Sequence, residues 1–421
     1  MPLISKRYDS IMRHENTMVA LFGLAIGLMS FEQLGISYLI PFIQPALHLN
    51  NTQVGLLMSV YWVAFALSSY ATGSVLDRLR RRKPLLVLTL LSLSLGCLLS
   101  AVATSFGTLA VARALMGVVE GSLFTGVQSF VALESSPQRR GSNLGIVAGV
   151  CPNILGILIA PIVLVQLALH FGWRTGCAAI LAPGMLTALL VAVVIREPAM
   201  AASEPSAPTA NPGSTANPGA TATPTETAPR ARSAELLRFR NVWICAGLCC
   251  FYVAYLNAGF TFLPLYYINV RHFPSQQMSA LMGVLGISAV LFAFLLPFAS
   301  DRLGRRPVLM VSGFLSVLGP LAALYVSGPL ALLAVLMMIG WAISGTVSLI
   351  ASTIPAETVP PQHLATAIGL IIAVGVIIGG LAGPGVAGWV ADHQGLGGPL
   401  LLQAGYAVAT FILAAGLRAK P

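Results

Sequence analysis

The stretch "ATGSVLDRLRRRKPLL", residues 71–86, sets five cations and one aspartate into the seven positions 77–83. Only 9% of the chain is charged, so such a cluster marks a boundary. Apolar runs flank it, near 53–76 and near 85–104. Each has roughly the 20 residues that a helix needs to cross a hydrocarbon core about 30 Å thick. The cluster therefore reads as a short polar loop between two membrane spans.

Parsed in the same way, the whole chain yields twelve predicted spans. They lie near 18–43, 53–76, 85–104, 108–132, 143–168 and 175–195, then 241–268, 277–299, 308–327, 329–353, 364–391 and 399–417. The 421 residues are 57% hydrophobic, with a mean hydropathy of +0.85. Soluble domains run near half apolar and a quarter charged, so the fold class expected is an all-α membrane protein in contact with the lipid bilayer. A net charge of +10 would suit nucleic acid only as a basic face on a soluble domain. Here the cations sit in short loops, and no nucleic-acid partner is expected.

Cys97, Cys151, Cys177, Cys245, Cys249 and Cys250 all fall in apolar runs without metal-ligand spacing, and read as small packing residues. No cofactor and no metal are expected. A polar leader from Met1 to about Thr17 precedes a first run too long for a signal peptide, which reads as a retained span.

Of the 23 lysines and arginines, 20 fall in segments on one side of the membrane if the N-terminus is inside. The other side holds Arg174 and Arg271, while Arg113 lies within a span. The positive-inside rule then predicts two cytoplasmic termini and an even number of spans. A plasma-membrane protein, of the bacterial inner membrane, is expected. Residues 197–234 are a Pro/Ala/Thr low-complexity stretch with little that could form a core. The expected organisation is an N-terminal six-helix bundle at 1–196, a disordered cytoplasmic linker at 197–234 and a C-terminal six-helix bundle at 235–421.

The opening motif recurs. "DRLRRRKP" at 77–84 is echoed by "DRLGRRP" at 301–307, an offset of 224, and the same offset relates Gln138 to Gln362 and Gly145 to Gly369. Two separate loops sharing one offset imply an internal duplication, with parallel repeats about an axis along the membrane normal. At this point the chain resembles the major facilitator superfamily, whose signature between the second and third helices reads Gly-x-x-x-Asp-Arg-x-Gly-Arg-Arg. Gly73, Asp77, Arg78, Arg81 and Arg82 fit it, with Arg80 where glycine is usual. The second copy carries Asp301, Arg302, Gly304, Arg305 and Arg306, with Pro297 in place of the leading glycine. The resemblance implies that the motif residues form a cytoplasmic gate: Asp77 and Arg78, with Asp301, Arg302 and Arg305 as counterparts.

Glu32, Glu120 and Arg113 are the ionisable residues placed deep in predicted spans, all in the first half. An ionised group at that depth costs about 2.5–3.5 kcal/mol on insertion scales, so it normally faces a cavity or a partner. Low dielectric favours a neutral carboxyl, which makes a buried acid a natural proton carrier. Arg113 and Glu120 are two turns apart, beyond the adjacent-turn pairing of i and i+4. In the fourth span, "RALMGVVEGSLFTGVQSF", Gly117 and Gly121 form a small-xxx-small surface, and Glu120, Phe124 and Gln128 share a face. A helix–helix hydrogen bond without transport chemistry is the plainer reading of the two acids.

That run is similar to the fourth helix of the organic-anion/proton symporters, where a buried glutamate two turns after an arginine takes part in proton coupling. The resemblance implies proton-coupling roles for Glu120 and Glu32, with Arg113 as an ion-pair or substrate residue. Gln33 stands where that branch usually has arginine. In the second half, Tyr252, Tyr255, Asn257, Trp341 and Ser344 are polar and aromatic candidates for the cavity wall, or simply packing residues. With no Walker phosphate loop, an ion gradient is the expected energy source. The function expected is secondary active transport of a small organic solute, an acid for preference, by proton-coupled symport and alternating access. Proton-driven efflux of drugs or metabolites is the alternative. A membrane enzyme would need histidines, acids or cysteines clustered at one depth, and every histidine lies in a loop or at a span end. A monomer is expected, with protons and a small-molecule substrate as its partners.

Overall fold

The computed structural model describes residues 2–76, 82–136, 138–196, 239–360 and 364–417. Among the described residues every regular element is helical. Twelve spans are long and apolar enough to cross a membrane. The first six are His14–Ala46, Asn51–Gly73, Lys83–Ala101, Phe106–Glu134, Arg140–Phe171 and Trp173–Val194. The second six are Arg240–Asn269, Ser275–Leu303, Arg305–Tyr325, Leu330–Thr358, Thr366–Gln394 and Gly397–Ala415. All twelve expected spans are present, with ends displaced by a few residues. The linker at 197–234 and the motif residues Asp77, Arg78 and Arg81 lie outside the described residues.

Where the connections fall within the described residues, short turns join several of the spans. Gly172, Gly304 and Gly395 adopt φ of 83°, 90° and 79° where the chain reverses after the fifth, eighth and eleventh spans. A side chain there would be strained, which is why glycine ends these helices. The duplication extends to the span ends. Displaced by 224 residues, Asn51, Phe106, Glu134 and Trp173 fall on Ser275, Leu330, Thr358 and Gly397, the equivalent ends in the second half. Leu67, Leu88, Val193 and Phe294 are more than half exposed, as suits a perimeter facing hydrocarbon rather than water.

The halves meet along two seams related by the duplication. In one, the second span packs on the eleventh from residue 375 onward; in the other, the eighth packs on the fifth from residue 153 onward. Both seams lie in the half of the bundle away from the termini, here termed the far end. In the first seam the Ser59 hydroxyl donates to the Leu381 carbonyl at 2.7 Å. Asp392 accepts from the N–H groups of Asn51 at 2.9 Å and Thr52 at 2.8 Å, and from the Thr52 hydroxyl at 2.5 Å. The second span is thus N-capped by a carboxylate of the opposite half. In the second seam Gly286 lies against the backbone of Leu158, where a Cβ would come within 2.6 Å of the Leu158 nitrogen.

On the terminal side the halves part. A cavity of about 470 Å³ separates the fifth span from the seventh, eighth and tenth. It runs beside irregular helix: π-helical turns at Ile146–Val150 and Asn153–Ile159 in the fifth span, and a 3₁₀ segment at Ala342–Thr346 in the tenth. A further π-helical turn, Gly375–Gly379, lies in the eleventh span at the position equivalent to 151–155 of the fifth. Such turns leave main-chain groups less regularly paired, and membrane proteins tolerate them where helices line a cavity or move.

Candidate functional site

The fourth span carries Arg113 and Glu120, both fully buried. Gly117 and Gly121, on the same helix, let the second span approach to backbone contact. A Cβ at either position would fall 2.4 Å from the Tyr61 carbonyl or 2.3 Å from that of Phe65. This close approach brings Tyr61 beside the charged pair. Arg113 and Glu120 do not bond each other; each finds a partner on a different helix.

Arg113 reaches the first span, where its Nη1 donates to both carboxylate oxygens of Glu32, at 2.9 and 3.2 Å. The pair is almost wholly enclosed, with side-chain exposures of 0% and 7%. The Tyr61 hydroxyl donates to Oε2 of Glu120 at 2.5 Å. The Arg113 guanidinium lies over the Tyr61 ring, 4.5 Å from its centre, in cation–π contact. Nε and Nη2 of Arg113 and Oε1 of Glu120 have no hydrogen-bond partner. Glu120 interacts electrostatically with both Glu32 and Arg113. Two carboxyls, one guanidinium and one phenol therefore form a single buried group. Such a pair gains little net stability from its charge, because desolvation offsets the attraction, yet removing one partner is strongly destabilising.

Tyr61 had no signal in the sequence. It stands in an apolar run, and only the approach allowed by Gly117 and Gly121 makes it part of the cluster. Phe124, one turn from Glu120, packs on Phe65 with ring centres 5.9 Å apart. Gln33 and Gln128 are half-buried.

Of the second-half candidates, Tyr252, Tyr255 and Ser344 gather about Trp341, apart from the charged cluster, while Asn257 turns to the other half. The Tyr255 hydroxyl sits 2.9 Å from the Ser316 carbonyl and 2.8 Å from the Gly340 carbonyl, fastened within its own half. Trp341 packs between Tyr255 and Phe260 and borders the cavity, as do Tyr252 and Ser344. Its indole N–H is buried without a partner. Asn257 accepts from the Trp62 indole N–H at 2.7 Å, across the boundary between the halves.

Of the motif residues within the described part, Gly73 has open space where a side chain would extend. Arg82 donates to the Ser129 hydroxyl of the fourth span. In the second copy Arg305 bridges Asp301, at 2.5 Å, and Glu357 of the tenth span, at 2.9 Å. Arg302 lies over the Phe298 ring. Glu357 was legible only as a helix end. Glu15, part of the polar leader by sequence, is buried and accepts from Asn143 at 2.6 Å and from Ser136. Among the described residues no group of histidines, cysteines and acids could hold a metal ion.

The sequence profile described as Major Facilitator Superfamily matches residues 19–298 and 275–421. The chain is 29% identical to the hexuronate transporter of Bacillus subtilis over 181 residues, 42% of each chain. That match spans less than half of either protein. With the phosphoglycerate transporter protein of Salmonella typhimurium it shares 24% identity over 383 residues, 87% of this chain and 81% of that one. Among solved structures, a nucleoside transporter superposes with a TM-score of 0.76 at 16% identity, covering 94% of this chain and all of the other. The protein is a multi-pass membrane transporter of small solutes and not an enzyme.

Proposed function

Because the chain belongs to the major facilitator superfamily, we propose that it carries a small organic acid across the membrane by proton-coupled symport, through alternating access. One observation carries the reading: the buried cluster of Glu32, Arg113, Glu120 and Tyr61. Two carboxyls face one guanidinium, so a proton balances the cluster. Gaining or losing it changes a buried charge by one unit, a large effect in low dielectric. When Glu32 is protonated its hold on Arg113 weakens, and the guanidinium becomes available to a substrate carboxylate. The relatives named for hexuronate and phosphoglycerate support an acidic substrate.

The two six-helix bundles, at 1–196 and 235–421, rock about the site, with 197–234 as their tether. With both termini in the cytoplasm of a bacterial plasma membrane, the cavity at the terminal side makes the present conformation inward-facing. Asp77, Arg78 and Arg81, with Asp301, Arg302 and Arg305, close that side in the opposite state. Gln33, Gln128, Tyr255, Asn257 and Trp341 serve the substrate path or its walls, and the protein works as a monomer.

The test is uptake into proteoliposomes across a panel of organic acids and drugs under an imposed pH gradient. A proton gradient directed with the substrate should drive accumulation, and Glu120→Gln should abolish it. Accumulation that persists in the Glu32→Gln, Glu120→Gln double variant would refute the assignment. Movement only against the proton gradient would make the protein an efflux antiporter.

A further inference from the structure

The buried cluster lies in one half of the molecule, while the far-end seams hold the other half closed. A transporter whose carboxyls control its conformation needs a path between them. The second span provides one in two consecutive residues. Tyr61 donates to Glu120 and receives the Arg113 guanidinium on its ring. Trp62, the next residue, lies about 100° further round the helix and faces the opposite half. Its indole N–H donates to Oδ1 of Asn257 in the seventh span at 2.7 Å. The Asn257 amide is held by its own Nδ2, which donates to the Val253 carbonyl at 2.9 Å, so its oxygen is turned toward Trp62. Trp62 also rests on the eleventh span: a Cβ at Gly380 would come within 2.9 Å of the Trp62 Cβ. Gly380 immediately follows the π-helical turn Gly375–Gly379.

The backbones of the second and fourth spans are in contact at Gly117 and Gly121, so they move as one body. A change at Glu120 is therefore taken up by side chains. The Tyr61 and Trp62 rings meet edge to face, 5.4 Å apart, and Trp62 meets Phe65 at 5.6 Å. The Tyr61 ring accordingly limits the indole orientations that reach Asn257. The titratable groups around Glu120 are Glu32 of the first span, Tyr61 of the second, Cys97 of the third and Arg113 of its own helix. Cys177 of the sixth span lies on the Glu32 side.

We propose that Tyr61 and Trp62 are positioning residues that transmit the charge state of the buried carboxyls to far-end closure. Tyr61 reads Glu120, and Trp62 grips the other half through Asn257 and the backbone at Gly380. The inference rests on the proton-coupling reading and extends it by naming the route. When Glu120 is charged, the tyrosine is held by its hydrogen bond to the carboxylate. When Glu120 is neutral, that hold weakens, the ring shifts and the indole loses its grip on Asn257.

The experiment follows the far end directly and needs no substrate. The full chain, with its six native cysteines replaced, carries spin labels at Ala46→Cys and Gln394→Cys, which lie in opposite halves. Their distance distribution is recorded in nanodiscs as pH is varied. In the parent the proportion of far-end-closed molecules should change with pH. Tyr61→Phe keeps the ring and Trp62→Phe an aromatic ring, and each removes one hydrogen bond; both should abolish the pH response. Asn257→Leu, placed on the other half, should do the same. A residue that merely packs would shift the closed proportion equally at every pH and keep the midpoint. If Glu120→Gln removes the response while Trp62→Phe and Tyr61→Phe retain it in full, the relay is overturned and proton coupling stands. A parent indifferent to pH would overturn both.

Discussion

Where the N-terminal half carries Glu32, Arg113 and Glu120, the C-terminal half carries Leu256, Met337 and Ser344 at the same offset of 224. The span ends superpose under that offset, so the two halves share a framework. They do not share its chemistry. Met337 is buried as Arg113 is, at 1% exposure, but among apolar neighbours. The duplication has kept the apolar periodicity that makes a bundle and confined the costly charges to one copy. The ionisable cluster and the partners it bonds therefore all belong to the N-terminal half.

The seams differ in a related way. The second–eleventh seam is joined by the Ser59 hydrogen bond and by those to Asp392, with Trp62 adding one to Asn257 of the neighbouring seventh span. Both seams use close backbone approach, at Gly55 and Gly388 in the first and, in its counterpart between the eighth and fifth spans, at Gly286, which occupies the position equivalent to Trp62; the hydrogen bonds named belong to the first.

The sharpest way to break the comparison of halves is to remove the guanidinium. Arg113→Met leaves Glu32 buried without its cation and should cost about 3–5 kcal/mol, read as lost thermal stability in detergent. Met337→Leu, at the equivalent position, should cost less than about 1.5 kcal/mol. Equal costs would show that burial, not charge, distinguishes the halves. At the seams, Gly286→Ala places a methyl against the Leu158 backbone, which cannot move aside cheaply. The far-end-closed state should lose about 1–3 kcal/mol, seen as faster labelling of Ala46→Cys by an impermeant maleimide. Asp392→Ala removes the cap on the second span and should cost about 1 kcal/mol, a roughly five-fold shift toward the open far end. If Asp392→Ala outweighs Gly286→Ala in the same labelling assay, polar contacts rather than close packing hold the far end shut.

Much of the fold was legible because hydrophobic length and charge placement are strong constraints in a bilayer. Twelve apolar runs, a repeated Asp-Arg loop and an offset of 224 were enough to place the spans and the duplication. Glu32, Arg113 and Glu120 were also visible, since a charge in an apolar run stands out. Their partners were not. Spacing along the fourth span puts Arg113 and Glu120 beyond adjacent-turn pairing, but it cannot say that Arg113 turns to the first span and Glu120 to the second. Tyr61 and Trp62 look like any aromatic pair in a membrane helix until tertiary packing brings them to Glu120 and Asn257. Asp392 and Glu357 read as ordinary helix-end acids, because the groups they bond are distant in sequence.

The closing contacts of the second–eleventh seam are made largely to main chain. Asp392 binds the amide groups of Asn51 and Thr52, and Ser59 binds the carbonyl of Leu381. Every residue but proline has these N–H groups, so these main-chain contacts do not depend on the side chain, although the Thr52 hydroxyl adds one that does. Leu381 can change its side chain and keep the Ser59 bond, whereas Asp392 and Ser59 bind through their side chains and Asn51 also accepts from Gln44. The vulnerability of this closure is concentrated in a few side chains and in glycines such as Gly55 and Gly388, whose neighbours leave no room for a Cβ.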